Sequence, residues 1–246
     1  MKTRVILLLA AILGINAASC QDAERRRELA ILDEWRAGEC VSRESVAEFG
    51  IDNCFTAQEI DDAVFGRIEG HSYGSGCTIP LSELRYLKVL HCDLDNNTVL
   101  GEMICNRAIS DDLLEIFRTL FDASYPIGRM VLVDEYDADD ERSMSANNSS
   151  CFNFRFISGT ARLSNHSSGM AVDINPLYNP YVRTSGGRTT VEPAAAAPYT
   201  DREADFPCKI DENDLCYREF RRHGFEWGGH WRSSKDYQHF EKRTDK

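Results

Sequence analysis

Two short segments of this chain carry side chains that could hold a metal ion and use it for catalysis. The first runs from Ser164 to Asp173 and contains His166, and the second contains Asp236 and His239. Two imidazoles and one carboxylate suit a catalytic zinc, which takes three protein ligands and leaves one position open for water. The remaining carboxylate, Asp236, could act on that water as a general base. These residue types together predict metal-assisted hydrolysis.

The residues around Asp173 predict a strand with one apolar face and one open face. Period-2 alternation places Met170, Val172 and Ile174 on a face that belongs in the core. Asp173 lies on the opposite face beside two small residues, which leaves room for a metal ion and a substrate backbone. His166 lies just before the strand, where its imidazole can converge on the same point. The alternative is that these polar side chains are unrelated surface groups.

The spacing of Asp236 and His239 requires a change of chain direction. Residues three apart in a regular strand point to opposite faces, so both can reach one metal only if the chain turns between them. We therefore expect Asp236 in a turn and His239 at the start of the last strand. The alternative makes Asp236 an ordinary turn residue and His239 a histidine at the edge of the core.

The N-terminus predicts export to the periplasm or cell envelope. Lys2 and Arg4 precede an apolar run over residues 5–15, which is too short to span a bilayer and is typical of a signal peptide. Residues 1–20 are therefore predicted to be the signal peptide. The box that ends in Cys20 resembles a lipoprotein cleavage site, and ordinary cleavage nearby is the alternative. A lipid anchor on Cys20 would be the chain's link to the membrane.

The cysteine content also fits an oxidising compartment. The chain has nine cysteines, and removing Cys20 leaves an even number, which predicts a disulfide framework of unassigned pairing. The remaining eight are Cys40, Cys54, Cys77, Cys92, Cys105, Cys151, Cys208 and Cys216. A structural zinc site is the alternative, although no two cysteines have the Cys-x-x-Cys spacing.

The amino-acid composition limits which fold classes and which binding partners are plausible for this chain. A chain of 246 residues that is 42% hydrophobic is long and apolar enough for a globular fold with a sizeable core. Its formal net charge of −12 argues against nucleic acid as the main partner, since binding phosphates needs a basic surface. Helical and strand patterns occur in mixed order along the chain, which predicts an α+β fold.

The elements are predicted from periodicity and from capping residues. Helices are expected at residues 23–37, from Thr56 onward, and at 110–123 and 214–222. A hairpin is expected around Asn96 and Asn97, with further strands at 129–134, 151–157, 170–174 and 237–241. The stretch 175–205, rich in Pro, Gly, Ala and Tyr, predicts a long loop along one wall of a cleft.

The chain from about Ile79 to Lys242 resembles a bacterial family of zinc peptidases that act on peptidoglycan. This family comprises D-alanyl-D-alanine carboxypeptidases, L-alanyl-D-glutamate endopeptidases and the vancomycin-resistance D,D-dipeptidases. The matching blocks follow the family order, at residues 125–127, 143–150, 152–155, 164–173, 175–181, 224–231 and 236–241. The resemblance implies a small central antiparallel sheet with flanking helices, as in the hedgehog and D-Ala-D-Ala peptidase folds.

The resemblance also implies roles for the metal-site residues. His166, Asp173 and His239 would bind one zinc ion per chain, and Asp236 would be the catalytic base. Many family members carry Glu at the position of Asp236. The shorter side chain matches the endopeptidase-like branch, so the specificity of the dipeptidases is not carried over.

Two more residues receive roles from the resemblance. Arg155 would stabilise the polarised carbonyl of the scissile bond or hold a substrate carboxylate, since its planar donors grip paired oxygens. The alternative for Arg155 is a surface residue that pairs with an acidic loop. Ser164 would hydrogen-bond the substrate. Independently of the resemblance, Trp227 and Trp231 could line the cleft, although packing in the core is the default interpretation for both.

The function implied is that of an exported, monomeric zinc peptidase that cleaves peptidoglycan stem peptides. Residues 21–78 would form a helical N-terminal extension and residues 79–246 the catalytic domain. One alternative is a non-catalytic, zinc-containing module of the same fold that binds cell-wall peptide. A serine hydrolase built on Ser164 is disfavoured, because no glycine pattern of a nucleophile elbow surrounds that serine.

Overall fold

The chain folds into helices and small antiparallel sheets, which confirms the predicted α+β class. The computed structural model describes residues 20–157 and 160–243, and the predicted signal peptide lies outside them apart from Cys20. The helices are α1 (20–34), α2 (Arg43–Phe49), α3 (Asp62–Ile68), α4 (Ser110–Asp122), α5 (Asp140–Ser145) and α6 (Leu215–Arg222). The strands are β1 (Cys40–Val41), β2 (Thr56–Gln58), β3 (Leu84–Cys92), β4 (Thr98–Asn106), β5 (Ala171–Asp173), β6 (Tyr181–Ser185), β7 (Arg188–Glu192), β8 (Glu226–Trp227), β9 (Lys235–Asp236) and β10 (His239–Glu241).

The strands form three small antiparallel sheets rather than one central sheet. The largest has the order β1-β4-β3-β2 and is built on the β3–β4 hairpin. The other two have the orders β5-β10-β8 and β7-β6-β9. The predicted turn at Asn96 and Asn97 is confirmed: Asn96 adopts a left-handed conformation, and the Asp93 side chain accepts a hydrogen bond from the Asn97 N–H at 2.8 Å.

The N-terminal segment belongs to the same sheet as the hairpin. Strands β1 and β2 come from residues before 79 and flank β4 and β3. Leu32 and Trp35 of this segment are buried in one hydrophobic cluster with Leu90 and Leu100 of the hairpin. The predicted boundary at residue 78 therefore cuts through a shared sheet and a shared core.

The main core fixes the strand that carries the predicted ligand His239. Helices α4 and α6 pack together, and α4 also covers β3. Phe220 of α6 stacks on Phe240 of β10 with ring centroids 4.3 Å apart. Both phenylalanines are fully buried, so the neighbours of Phe240 in β10 point to the other side of the strand.

The helix predicted from Thr56 is wrong. Thr56 begins β2, which pairs with Lys88 and the residues before it on the edge of β3. The helix starts later, at Asp62, where Asp61 caps it by accepting from the N–H of Val64 at 2.8 Å. A free strand edge outweighed the local capping pattern at Thr56, as tertiary pairing often outweighs propensity.

Three further element predictions are wrong in part. The predicted loop 175–205 contains the hairpin β6–β7, whose two-residue turn is Gly186-Gly187 with both residues at positive φ, followed by a 3₁₀ helix. Residues 129–134 form an isolated bridge and the start of another 3₁₀ helix instead of a strand. Residues 151–157 are irregular, although Phe152 donates its N–H to the Ile104 carbonyl at 3.0 Å.

The predicted disulfide framework is also wrong for this structure. All nine cysteines are free thiols, and most of them are buried. Cys105, Cys151 and Cys216 lie in the main core, where burial raises the pKa of each thiol. These cysteines pack as small apolar side chains. Among the described helices, none has the length and apolar character needed to cross a membrane.

His91 is a buried histidine that makes stability depend on pH. It lies on β3, and neither of its ring nitrogens has a hydrogen-bond partner within the described structure. Burial lowers its pKa from 6.5 to about 4. The folded protein therefore binds fewer protons than the unfolded chain between these values, and stability is lost as pH falls through this window.

We predict that His91→Leu flattens the decline in unfolding free energy between pH 7 and pH 4. The wild-type contribution lost over this range is up to about 3 kcal/mol. Urea denaturation of both proteins across the range measures it. His230→Gln, at an exposed histidine, is the matched control and should keep the wild-type slope. Equal slopes for wild type and His91→Leu would contradict the prediction.

Candidate metal centre

The three predicted metal ligands come from three adjacent elements. His166 lies on a 3₁₀ turn (Asn165–Ser168), Asp173 ends β5, and His239 begins β10. Strands β5 and β10 are antiparallel, and His239 is directly opposite Asp173 in their register. Side chains directly opposite each other on neighbouring strands lie close together, so the register alone brings these two into contact.

The ligand atoms of these residues converge on one point. One atom from each residue lies within 4.8 Å of the others. His166 Nε2 is 3.2 Å from Asp173 Oδ2, and His239 Nδ1 is 3.0 Å from Asp173 Oδ1. The two ring nitrogens are 3.2 Å apart. Both histidines are only 5% exposed, so the cluster is largely closed to bulk water.

The outer nitrogens of both histidines are held by oxygen acceptors. His166 Nδ1 lies 2.6 Å from the carbonyl oxygen of Cys151, and His239 Nε2 lies 3.2 Å from Glu241 Oε2. The Cys151 carbonyl holds the ring proton of His166 on Nδ1, and Glu241 holds that of His239 on Nε2 when Asp173 is bound to a cation. In neutral imidazoles the inner nitrogens then carry lone pairs. Metal-binding histidines usually have this second set of contacts.

The centre therefore demands a positive charge. Two nitrogen lone pairs and a carboxylate face one another, so a cation or an added proton must lie between them. The pKa values reflect this demand. Burial opposes a charged His239, yet its hydrogen bonds to Asp173 and Glu241 raise its pKa to about 10. Burial also opposes a charged Asp173, but the two histidines lower its pKa. Nitrogen and carboxylate donors of this kind fit a divalent transition metal.

The turn that carries His166 is shaped by its neighbours. Ser164 begins it, and its Oγ accepts a hydrogen bond from the His166 N–H at 3.3 Å. Gly169 ends it in a left-handed conformation, where a Cβ atom would lie 2.7 Å from the backbone nitrogen of Asn106. Ser164 thus has a structural role as a cap, and its predicted contact with substrate stays a prediction.

Asp236 lies beside the three ligands at the end of β9. A bend at 237–238 separates β9 from β10, so the predicted change of direction is present, although Asp236 is in a strand rather than in the turn. Its Oδ1 is buried without a hydrogen-bond partner in the described structure. Burial raises the pKa of Asp236 to about 7, with Asp173 adding to the rise and His239 opposing it. These properties suit a general base.

Arg155 pairs with an acidic residue of α5. Its Nε contacts a carboxylate oxygen of Asp140, and the other Asp140 oxygen accepts from the Asn153 side chain at 2.8 Å. The backbone of Arg155 is tied to the ligand-bearing turn by two hydrogen bonds with Ser167 Oγ. The alternative stated for Arg155, that it pairs with an acidic residue, thus describes the contact in the structure. The role of Arg155 in substrate binding stays a prediction.

The two tryptophans near the centre have different surroundings. Trp227 is 6% exposed, belongs to the main core, and donates its indole N–H to the Tyr237 carbonyl at 2.9 Å. Packing in the core, the default interpretation from the sequence, therefore describes its surroundings. Trp231 is partly exposed, and its ring centroid lies 5.2 Å from that of His239.

Two groups that contact the histidines, Glu241 and the Cys151 carbonyl, are not among the residues predicted from the sequence. Glu241 follows His239 by two positions on a strand, a spacing that puts both side chains on one face. That signal was available in the sequence. The Cys151 carbonyl was not, because a backbone oxygen leaves no trace in residue type.

Comparison with known families supports the predicted resemblance. Residues 158–242 match the family model described as D-alanyl-D-alanine carboxypeptidase. The matched segment contains His166, Asp173, Asp236 and His239, whereas Arg155 precedes it. This match confirms the resemblance predicted from the sequence for that part of the chain. No curated protein and no solved structure matches the chain.

We predict that Gly228→Ala weakens zinc binding while leaving the fold intact. A Cβ at Gly228 would lie 2.6 Å from the Asp236 carbonyl oxygen and 3.2 Å from His239 Cβ. Overpacking of this kind costs about 1–3 kcal/mol, which corresponds to a loss of roughly 5- to 150-fold in zinc affinity if the cost falls on the bound state. Competition with a chromophoric chelator measures the affinity.

The control is Gly66→Ala on α3, where a Cβ meets no atom within 4 Å. This change should leave zinc binding unaltered and stabilise the helix by up to about 1 kcal/mol. Wild-type zinc affinity in Gly228→Ala would show that this close approach does not position the ligands.

Proposed function

We propose that this chain, whose residues 158–242 match the D-alanyl-D-alanine carboxypeptidase family, is a zinc-dependent peptidase that cleaves stem peptides of peptidoglycan. The observation that carries the proposal is the convergence of His166, Asp173 and His239 within the matched segment. Their donors suit a divalent cation, and a family of peptidases is matched over the same residues. A structural metal site would not require the additional buried carboxylate of Asp236 beside it.

Zinc, when bound, would lower the pKa of a coordinated water and polarise the carbonyl of the scissile bond. His166, Asp173 and His239 would hold it. Asp236 would take a proton from the attacking water at its buried Oδ1 and return that proton to the leaving amine. Its burial favours the protonated form that this second transfer needs.

Arg155 would bind the substrate through the outer end of its guanidinium. Asp140 contacts Nε, on the inner edge of the group, and so orients the Nη donors. Planar paired donors suit a peptide carbonyl or a terminal carboxylate. We propose Asp140 as the residue that holds Arg155 in place for this contact.

The proposal includes the setting in which the reaction takes place. The signal-like N-terminus supports an exported protein of the periplasm or cell envelope, where peptidoglycan is found. Its fold would be the hedgehog and D-Ala-D-Ala peptidase-like arrangement, and it would act as a monomer. The bond cleaved would be either D-Ala-D-Ala or L-Ala-D-Glu.

Cleavage of purified muropeptides with and without chelator tests the proposal. We predict that zinc-loaded protein cleaves them, that zinc removal abolishes cleavage, and that adding zinc restores it. Asp236→Asn should retain zinc but lose about 10²–10⁴-fold in rate, because the base is gone. Asp95→Asn, in the exposed β3–β4 turn, is the matched control and should behave as wild type.

Mass spectrometry of the products identifies the bond, because release of D-alanine differs from separation of L-alanine and D-glutamate. Unchanged products after complete zinc removal would reject the zinc mechanism. Binding of muropeptides to the zinc-loaded protein with no cleavage would instead indicate a non-catalytic cell-wall module.

A further inference from the structure

We propose that Glu241 is a positioning residue that selects which nitrogen of His239 faces the metal and joins the two ligand-bearing segments. The inference rests on the zinc centre of the proposed function. It makes no use of the hydrolytic step, so it can be tested by metal binding and spectroscopy alone.

The first contact of Glu241 is with the imidazole of His239. Glu241 is 4% exposed on β10, and its Oε2 lies 3.2 Å from His239 Nε2. With Asp173 engaged by a metal ion, Glu241 is the carboxylate left to hold the ring proton of His239, on Nε2. Nδ1 then offers its lone pair to the metal from a position 3.0 Å from Asp173 Oδ1 and 3.2 Å from His166 Nε2.

The second contact of Glu241 is with the turn that carries His166. The same Oε2 accepts a hydrogen bond from the side-chain amide of Asn165, the residue just before His166. The other oxygen, Oε1, lies 3.3 Å from Arg243. One buried carboxylate therefore contacts one metal ligand directly and holds the neighbour of another.

The two histidines differ in how their orientation is fixed. His166 Nδ1 faces the Cys151 carbonyl, a backbone oxygen that no substitution removes. His239 Nε2 faces a side chain, so one mutation can remove its acceptor. Without Glu241, the buried Nε2–H of His239 and the Asn165 amide both lose this partner, which is costly in a closed site. A turn of the imidazole about its Cβ–Cγ bond would then compete with the metal-binding orientation.

Nitrogen NMR of the wild-type protein tests the tautomer without any mutation. In ¹⁵N-labelled, zinc-loaded protein, we predict that His239 carries its proton on Nε2 and that its Nδ1 has the chemical shift of a metal-bound nitrogen. A proton on Nδ1 with Nε2 bound to zinc would overturn the proposal, whatever any variant does.

Variants then test the side chain itself. Glu241→Leu removes the acceptor and should weaken zinc binding by about 10–100-fold. Glu241→Gln keeps an acceptor oxygen and should restore the affinity to within about threefold of wild type. Glu226→Leu is the matched control, because Glu226 lies opposite Glu241 on β8 but is exposed, and zinc affinity should not change.

The outcomes separate positioning from general stability and from the proposed reaction. Wild-type zinc affinity in Glu241→Leu would overturn the proposal, and so would an equal loss in Glu241→Gln. If circular dichroism shows that Glu241→Leu does not fold, the tautomer of the wild-type protein decides. Correct zinc binding and tautomer without cleavage of muropeptides would reject the proposed peptidase activity and leave the role of Glu241 standing.

Discussion

The pairing of β10 with β5 is the interaction on which the candidate metal centre depends. It sets His239 directly opposite Asp173, and a slip of one residue would turn His239 away from the site. The slip is opposed on the other face of β10, because Phe240 is fully buried and stacks on Phe220 of α6. The same alternation that sends Phe240 into the core sends His239 and Glu241 to the metal side. The hydrophobic core therefore sets the position of the polar centre.

At the candidate metal centre, this fixed strand register brings several electron-pair donors close together. Two ring nitrogens and a carboxylate approach within about hydrogen-bond distance, while their outer positions are already occupied by Cys151 and Glu241. Such a cluster is unfavourable without a cation or an added proton, and a metal that binds only the folded protein should stabilise it. Gly228 permits the close approach of Asp236 and His239, where any side chain would intrude. Core packing fixes the strand register, Gly228 leaves room for the ligands to approach, and the donor set then converges on one small site.

Prediction from the sequence succeeded where local periodicity and tertiary structure agree. The alternation around Asp173 and the turn at Asn96 follow from residue types alone, and the structure brings His166, Asp173 and His239 together as expected. It failed at Thr56, where a segment with a helix-like capping pattern forms strand β2 and pairs with the edge of β3. It also failed for the cysteines. An even number of cysteines after a signal peptide suggests disulfides, but in the structure they are free thiols, several of which pack in the core. Contacts such as Arg155 with Asp140 depend on the packing of distant elements, which no local pattern encodes.

X-ray absorption spectroscopy of the zinc-loaded protein identifies the atoms that bind the metal. We propose that two histidines and a carboxylate hold one zinc ion, in a chain that also offers nine thiols. We predict only nitrogen and oxygen neighbours at about 2.0–2.2 Å, with the outer-shell pattern of two imidazoles, and loss of that pattern in His239→Ala. A sulfur neighbour at about 2.3 Å would contradict the account, because cysteines would then hold the metal.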